Sequence, residues 1–386
     1  MPTDKEIPVF IEEHEGNEPT GVEADTEDDA GRVIRPYDPT KIRVDPKVYS
    51  VRQVLDMIDD GELDLAPDFQ RRRVWKQKQK SLLIESILLR IPLPAFYFNS
   101  DADGQLQVVD GVQRLSTIHE FVKNGMRLTD LEYLGDELDG ARYNDLRGKN
   151  WGRRILNTQI SANVIDPQTP LAVKFDIFRR INTGGSPLNS QEIRHCMSKE
   201  RSRQFLKRLC EQSAFRTVMG PQITDHVRMA DREFALRYVS FKLLGDIGSF
   251  KRYESMDEFL TKMNQSLDDP YAVSNDQLLE LSRSFKRAME NAYFVFGEHA
   301  FRKWPTYYSG YSPINRALFD VWSVALSEIP PRHLERIKED LVERARHMMA
   351  ENGPFIASIS TGTSSPSKVF TRFDCVSALI GGSQRA

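Results

Sequence analysis

The stretch Leu106-Gln-Val-Val-Asp-Gly-Val-Gln-Arg-Leu-Ser-Thr-Ile118 decides the fold. Leu106 to Val109 is a short β-type run, Asp110-Gly111 is a turn dipeptide, and Leu115, Ile118, Phe121 and Val122 share one helical face. Gly125 is placed to cap that helix. The run before it, Ala95-Phe-Tyr-Phe98, is joined to it through Asp101-Ala-Asp-Gly104, a hairpin-type turn.

Working outward, Val51, Val54, Leu55 and Ile58 have helical spacing, with Gly61 as a stop. A helix is expected from Ser81 to Leu89, ended by Ile91-Pro-Leu-Pro94, and Thr158 to Ile165 alternates like a strand. After Pro170 the pattern turns helical: Leu171 to Ile181, then amphipathic runs near 227–245, 274–297, 313–327 and 331–350. Asn189 with Glu192 and Ser255 with Glu258 have capping-box spacing, and Ser312-Pro313 reads as a cap before a first-turn proline. Gly362 to Lys368 reads as a linker before a short last segment. The expected fold is α+β: a disordered acidic arm at 1–45, a small α/β domain at 46–167 and a helical region at 168–386.

Charge is unevenly spread. Residues 1–30 hold eleven acids and one base, whereas the rest of the chain carries 52 bases against 45 acids, a net of +7. A basic body behind an acidic arm points toward a polyanionic ligand. Basic clusters fall at 70–80, 147–154 and 194–208. A hydrophobic content of 40% excludes global disorder. Cys196, Cys210 and Cys375 have no metal-type or disulfide-framework spacing, which fits a reducing cytosol. The longest apolar region, Leu82 to Phe98, is interrupted by Glu85, Arg90, Pro92 and Pro94 and falls short of a membrane span.

Three segments carry chemistry. In the first, a helix start after Gly111 offers N–H groups to a phosphate, Asp110 could hold a metal or a ribose hydroxyl, and Gln113, Arg114, Ser116 and Thr117 add donors. The alternative is a plain strand–helix turn with Asp110 as its cap. In the second, Phe69-Gln-Arg-Arg-Arg-Val-Trp75 sets three arginines beside a tryptophan, a phosphate- or base-binding composition that is equally a solvated basic face. In the third, Phe178-Arg-Arg-Ile-Asn-Thr-Gly-Gly185 places a Gly-Gly loop between helices, either an anion cradle or a structural corner. There is no Gly-x-x-x-x-Gly-Lys-Ser/Thr loop, no His-x-x-x-His and no Cys-x-x-Cys.

Taken in order and spacing, Pro67 to Trp75 with Leu83 to Pro94, then Val109 to Ile118, then Phe178 to Arg194, resemble the N-terminal domain of GmrSD-type restriction endonucleases, domain-of-unknown-function family 262. The resemblance covers about 50–240. It implies a ParB/sulfiredoxin-like α/β domain followed by helices, nucleotide binding and often NTP hydrolysis, and a role in defence against phage or modified DNA. The family's Asp-Gly-Gln-Gln-Arg motif falls on Asp110 to Arg114, with Val112 in place of the first Gln, which removes one polar ligand contact. Gln70 and Arg71 match its Gln-Arg pair, and Asn182 its Arg-Ile-Asn element. Relatives often carry an HNH nuclease domain; here His299, His333 and His347 do not form that pattern.

The expected protein is a cytoplasmic, weak Mg2+-dependent NTPase. Asp110, Gln113 and Arg114 are its catalytic candidates and Asp110 its metal ligand. Gln70, Arg71, Gly111, Ser116, Thr117, Arg179, Asn182, Thr183 and Gly184 would bind the nucleotide. Arg72, Arg73, Lys76, Arg153 and Arg154 would meet DNA, and a separately encoded nuclease would supply cutting. The rival expectation is a non-catalytic DNA-binding or adaptor protein of ParB-like fold.

Overall fold

The computed structural model describes residues 11–13, 19–24, 42–65, 75–101, 103–181, 188–226 and 228–383. A short antiparallel pair, β1 (Ile11–Glu13) and β2 (Pro19–Glu23), comes first. The next part runs β3 (Val44–Ser50), α1 (Val51–Asp59), β4 (Leu63–Asp64), α2 (Gln77–Leu88), β5 (Phe96–Ser100), β6 (Leu106–Asp110) and α3 (Val112–Val122). The short helices α4 (Gly135–Leu138), α5 (Tyr143–Leu146) and α6 (Asn150–Asn157) follow, then β7 (Gln159–Ile165), α7 (Leu171–Ile181) and α8 (Ser190–Cys196). The remainder is helical: α9 (Glu200–Glu211), α10 (Ser213–Met219), α11 (Ala230–Leu244), α12 (Met256–Asp268), α13 (Asn275–Phe296), α14 (Arg316–Ser327), α15 (Pro331–Glu351), α16 (Gly353–Ser358) and α17 (Pro366–Ser383).

The chain packs as two units: residues 35–197, and the N-terminal pair together with Ser198 onward. The expected α+β class is therefore observed. The packing divides after Met197, not at 167, because α7 and α8 belong with the sheet.

The sheet has the order β3-β7-β5-β6-β4. β5 and β6 form the expected antiparallel hairpin, with Tyr97 opposite Asp110 and an irregularity between Tyr97 and Phe98. β7 runs parallel to β5 and antiparallel to β3. The period-2 alternation sends Phe96, Phe98 and Val108 to one face, where they form a core with Val54, Leu55, Ile84, Ile87, Leu115, Ile118 and Ile155 of the surrounding helices. On the other face Lys174 of α7 donates to Asn99 Oδ1 at 3.0 Å, which sets α7 over β5. Helices therefore cover both faces, which is why Val108 and Val109 are both buried.

β3 was not expected from the sequence; Pro46 and two charges break its apolar pattern, and it pairs on only one side, as an edge strand tolerates. α2 starts four residues before the expected Ser81. The Asn189/Glu192 box forms in both directions, each bond at 2.8 Å. Ser255 accepts from Glu258 N–H at 3.1 Å, but the Glu258 carboxylate returns to Glu254 and not to Ser255. The cap of α14 is Asn315, whose side chain accepts from Leu318 N–H, and not Ser312. Ile314 between them is bridged to Val22 and Arg302, which holds that stretch extended. The expected linker at 362–368 runs into α17, a full-length helix.

The helical unit surrounds a large apolar core that includes Phe234, Tyr238, Phe285, Phe319 and Trp322. Within it Asp320 is shared by two buried arginines: Arg237 binds both of its oxygens at 2.7 and 2.8 Å, and Arg372 of α17 binds Oδ2 at 2.8 Å. The expectation of a disordered acidic arm fails at residues 11–13 and 19–24. There β1 and β2 pair, Val22 is fully buried, and Glu23 meets Lys303 at 2.6 Å.

Candidate functional site

The turn between β6 and α3 is shaped by Gly111. Its φ of +98° is left-handed, and a Cβ there would lie 2.3 Å from Cδ1 of Phe96. Both demands exclude any other residue without strain. With glycine at the cap position, α3 has no side-chain cap, so the N–H groups of its first turn face the turn without one.

The neighbouring side chains close on one another. Arg114 Nη2 pairs with Asp110 Oδ2 at 2.8 Å and reaches the Ala95 carbonyl at 3.3 Å, while Nη1 donates to the Pro94 carbonyl. Its guanidinium also lies 4.3 Å above the Phe96 ring. Burial pushes the Arg114 pKa down, against the opposing pull of Asp110. It remains a cation, because an arginine has far to fall. Side-chain exposure is 12% for Arg114 and 32% for Asp110, so the carboxylate is the more accessible partner. The arrangement straps the entry to β5 onto the turn and leaves Asp110 Oδ1 outside the pair.

The other residues of the motif divide by helical face. Gln113 and Ser116 are half-buried. Thr117 is 1% exposed, so its hydroxyl is not at the surface of the turn, contrary to its expected place among nucleotide ligands. Val112 is packed in the core. That position points inward, so the valine there fills the core.

The two ends of α2 sort the basic residues. Lys80 in its first turn pairs with Glu120 in the last turn of α3 at 2.7 Å. The C-terminal end of α2 lies a helix length away. Arg154 belongs to that end, donating to the Leu88 carbonyl at 2.6 Å and lying 4.8 Å over the Trp151 ring. Arg147, Lys149 and Arg153 around it are exposed. Lys76 caps the opposite end of α2, about 18 Å away over twelve residues. The structure therefore places Arg154 and Lys76 at opposite ends of α2. Arg194, at the head of the third basic cluster, is fully buried, and Arg201 is spent on the Leu267 and Val273 carbonyls. That cluster is not an open basic face. Gln70, Arg71, Arg72, Arg73, Asn182, Thr183 and Gly184 lie outside the described residues, as does the side chain of Arg179.

A polar layer on α7 and α8 carries no motif signal. Lys174, Asp176, Gln191, Glu192, Arg194 and His195 are all buried. Arg194 Nε donates to Gln191 Oε1 at 2.9 Å, and Asp176 pairs with Arg180 at 2.8 Å. Burial pushes the Lys174 pKa down, with Asp166 and Asp101 opposing. Helical charges of this kind look like a solvated face in sequence. Only the second sheet face, which α7 and α8 cover, reveals them as interior.

Among the described residues no group of three or more His, Cys, Asp or Glu side chains is placed to hold a metal. Mg2+ needs only one or two carboxylates when substrate phosphates supply the rest, so Asp110 suits an ion carried in with a triphosphate and not a resident one. No helix among the described residues is long and apolar enough to cross a membrane.

In comparison with known proteins, residues 51–198 match the family model described as GmrSD restriction endonuclease, N-terminal domain. No curated protein and no solved structure matches the chain. The match begins at α1 and ends after α8, so it takes in the sheet, the Asp110–Arg114 turn and the buried polar layer. Residues 51–198 of this chain are therefore similar to the GmrSD restriction endonuclease N-terminal domain.

Proposed function

We propose that this chain is the nucleotide-binding, NTP-hydrolysing component of a restriction system, acting at the β6–α3 turn. One observation carries the reading. A partly exposed carboxylate, Asp110, stands beside first-turn N–H groups that have no side-chain cap. Phosphate oxygens would be received by those N–H groups and by the positive end of α3. Mg2+ brought with the nucleotide would be held by Asp110 and would offset phosphate charge. Gln113, half-buried on the first turn, would orient a phosphate oxygen or the attacking water, and Ser116 would add a hydroxyl one turn on. Arg114 already pairs with Asp110, so its first role is to hold that carboxylate in one rotamer; an arriving phosphate would share its guanidinium. Preorganised donors around a charged transition state supply the catalysis. Arg147, Lys149 and Arg153, which are exposed, would meet DNA phosphates, and a separately encoded nuclease would cut.

A specific observation favours a second reading. Arg114 is satisfied by Asp110 and two carbonyls, the wiring of a structural strap. In that case the domain is a DNA-binding or adaptor module without hydrolysis. Phosphate release from ATP, GTP, CTP and UTP, with and without DNA, separates the two. Gln113→Ala and Asp110→Asn should lower release at least about tenfold with unchanged circular dichroism. A wild-type protein that neither binds nor hydrolyses any nucleotide, yet binds DNA with a steep salt dependence lost in Arg147→Ala/Lys149→Ala/Arg153→Ala, overturns the hydrolase reading.

A further inference from the structure

The acidic N-terminal segment is not used by the site above, and its contacts are specific. Glu23 places Oε1 on Lys303 Nζ at 2.6 Å and Oε2 on Asn315 Nδ2 at 2.9 Å. Glu12 meets Arg316 Nη2 at 2.8 Å. Between them the backbone pairs: Ile314 N–H donates to the Gly21 carbonyl and Glu23 N–H to the Ile314 carbonyl, both at 2.9 Å. Arg302 bridges Ile314 from its other side, so Val22, Ile314 and Arg302 form a three-deep extended layer. Gly21 has a φ of +76°, which brings its carbonyl to Ile314.

The receiving side is built for an anion. Lys303 is 6% exposed, and among the described residues Glu23 is the carboxylate that meets it. Its other hydrogen bond goes to the Ser360 hydroxyl. Asn315 keeps a second partner in the Ile359 carbonyl, and Arg316 one in Glu233. The apolar share is small: Val22 is the one large apolar side chain of β2. A two-stranded pair with so little apolar burial is marginal by itself, so charge and backbone pairing hold it. Elements with few buried apolar contacts open locally while the core stays closed.

We infer that the edge at Ile314, with Lys303, Asn315 and Arg316, is a docking groove for an extended acidic polypeptide. In this chain residues 11–13 and 19–23 fill it as an exchangeable latch. The pairing to both the N–H and the carbonyl of Ile314 selects a polypeptide over a nucleic acid, which has no alternating donor and acceptor to offer. The full burial of Val22 favours an apolar residue just before the glutamate.

Hydrogen exchange on the full chain tests local opening. Amides of residues 19–24 and 312–315 should exchange together, at least about tenfold faster than those of α11, α13 and α14, and faster still at 0.5 M salt. A common rate for all of these segments would make the pair an integral part of the core and overturn the latch. The groove itself is tested with a fluorescent peptide of residues 11–24 added to the full-length Glu12→Gln/Glu23→Gln protein, whose own latch is weakened. Saturable binding that falls about tenfold when the peptide carries the same two substitutions supports the proposal. No binding, or displacement of the peptide by a single-stranded oligonucleotide at equal charge, overturns it.

Discussion

At the scale of single residues, Gly111 and Arg114 hold the turn by opposite means, one by having no side chain and the other by spending all of its own. Gly111→Ala should cost about 3 kcal/mol or more, since it adds both a left-handed φ and a collision with the Phe96 ring. In Gly111→Ala/Phe96→Leu the steric part should be recovered and the backbone part kept, so urea unfolding of the double variant should fall between wild type and Gly111→Ala. Arg114→Ala should destabilise by about 1–3 kcal/mol, leaving Asp110 and two carbonyls without their donor. Arg114→Lys should recover little, because an ammonium cannot reach a carboxylate and two carbonyls in one plane. These residues were legible in the sequence because Asp-Gly after a β-run fixes a turn. The facing of Val112 and Thr117 was not, since motif spacing does not say which side of a one-turn segment meets the sheet.

Among elements, α2 is tied to the loop before α4 by one carboxylate. Glu85 accepts from the backbone N–H groups of Glu132, Tyr133 and Leu134 at 3.1, 2.7 and 2.8 Å. Burial pushes its pKa up, but the three donors outweigh burial and hold it below the usual carboxylate range. A depressed folded-state pKa contributes stability above the unfolded value, about 4.3, that is lost as pH falls through the folded value. Glu85→Gln should therefore be less stable than wild type near pH 7 by about 1–3 kcal/mol, with the gap closing below about pH 4. Thermal unfolding of both proteins from pH 7 to pH 3 checks this; a gap that widens on acidification would contradict it. Sequence periodicity found α1, α3, α7 and the long helices, because one apolar stripe suffices to mark them. It missed β3, an edge strand with a proline and charges, and the cap at Asn315, because Ile314 is committed to a distant strand.

In α14 the carboxylate of Asp320 has the larger task, since it neutralises Arg237 and Arg372 at once. Asp320→Asn should cost about 3–5 kcal/mol by leaving two buried guanidinium groups uncompensated. A combined Arg237→Met/Asp320→Leu/Arg372→Met protein should be closer to wild type than that single variant, as measured by urea midpoint.

For the molecule as a whole, net charge was a poor guide to binding surfaces. The basic cluster at 194–208 is partly interior, Arg147, Lys149 and Arg153 are exposed, and part of the acidic arm is structured against the helical unit. Neither burial of charge nor pairing across hundreds of residues leaves a local signature. The fold class, which depends on local runs, was readable; the domain break, which depends on what α7 and α8 cover, was not.

The β1–β2 pair also sets an order of events during synthesis. Glu23 and Lys303 are 280 residues apart, and Glu12 and Arg316 are 304 apart. At about 5–20 residues per second, Glu23 is made about 14–56 s before Lys303. Residues 35–197, which contain every strand of the five-stranded sheet, are complete well before then. The first two strands of the chain thus wait for Lys303, Ile314 and Arg316 while residues 35–197 are made behind them, and those contacts close only when that later part has emerged.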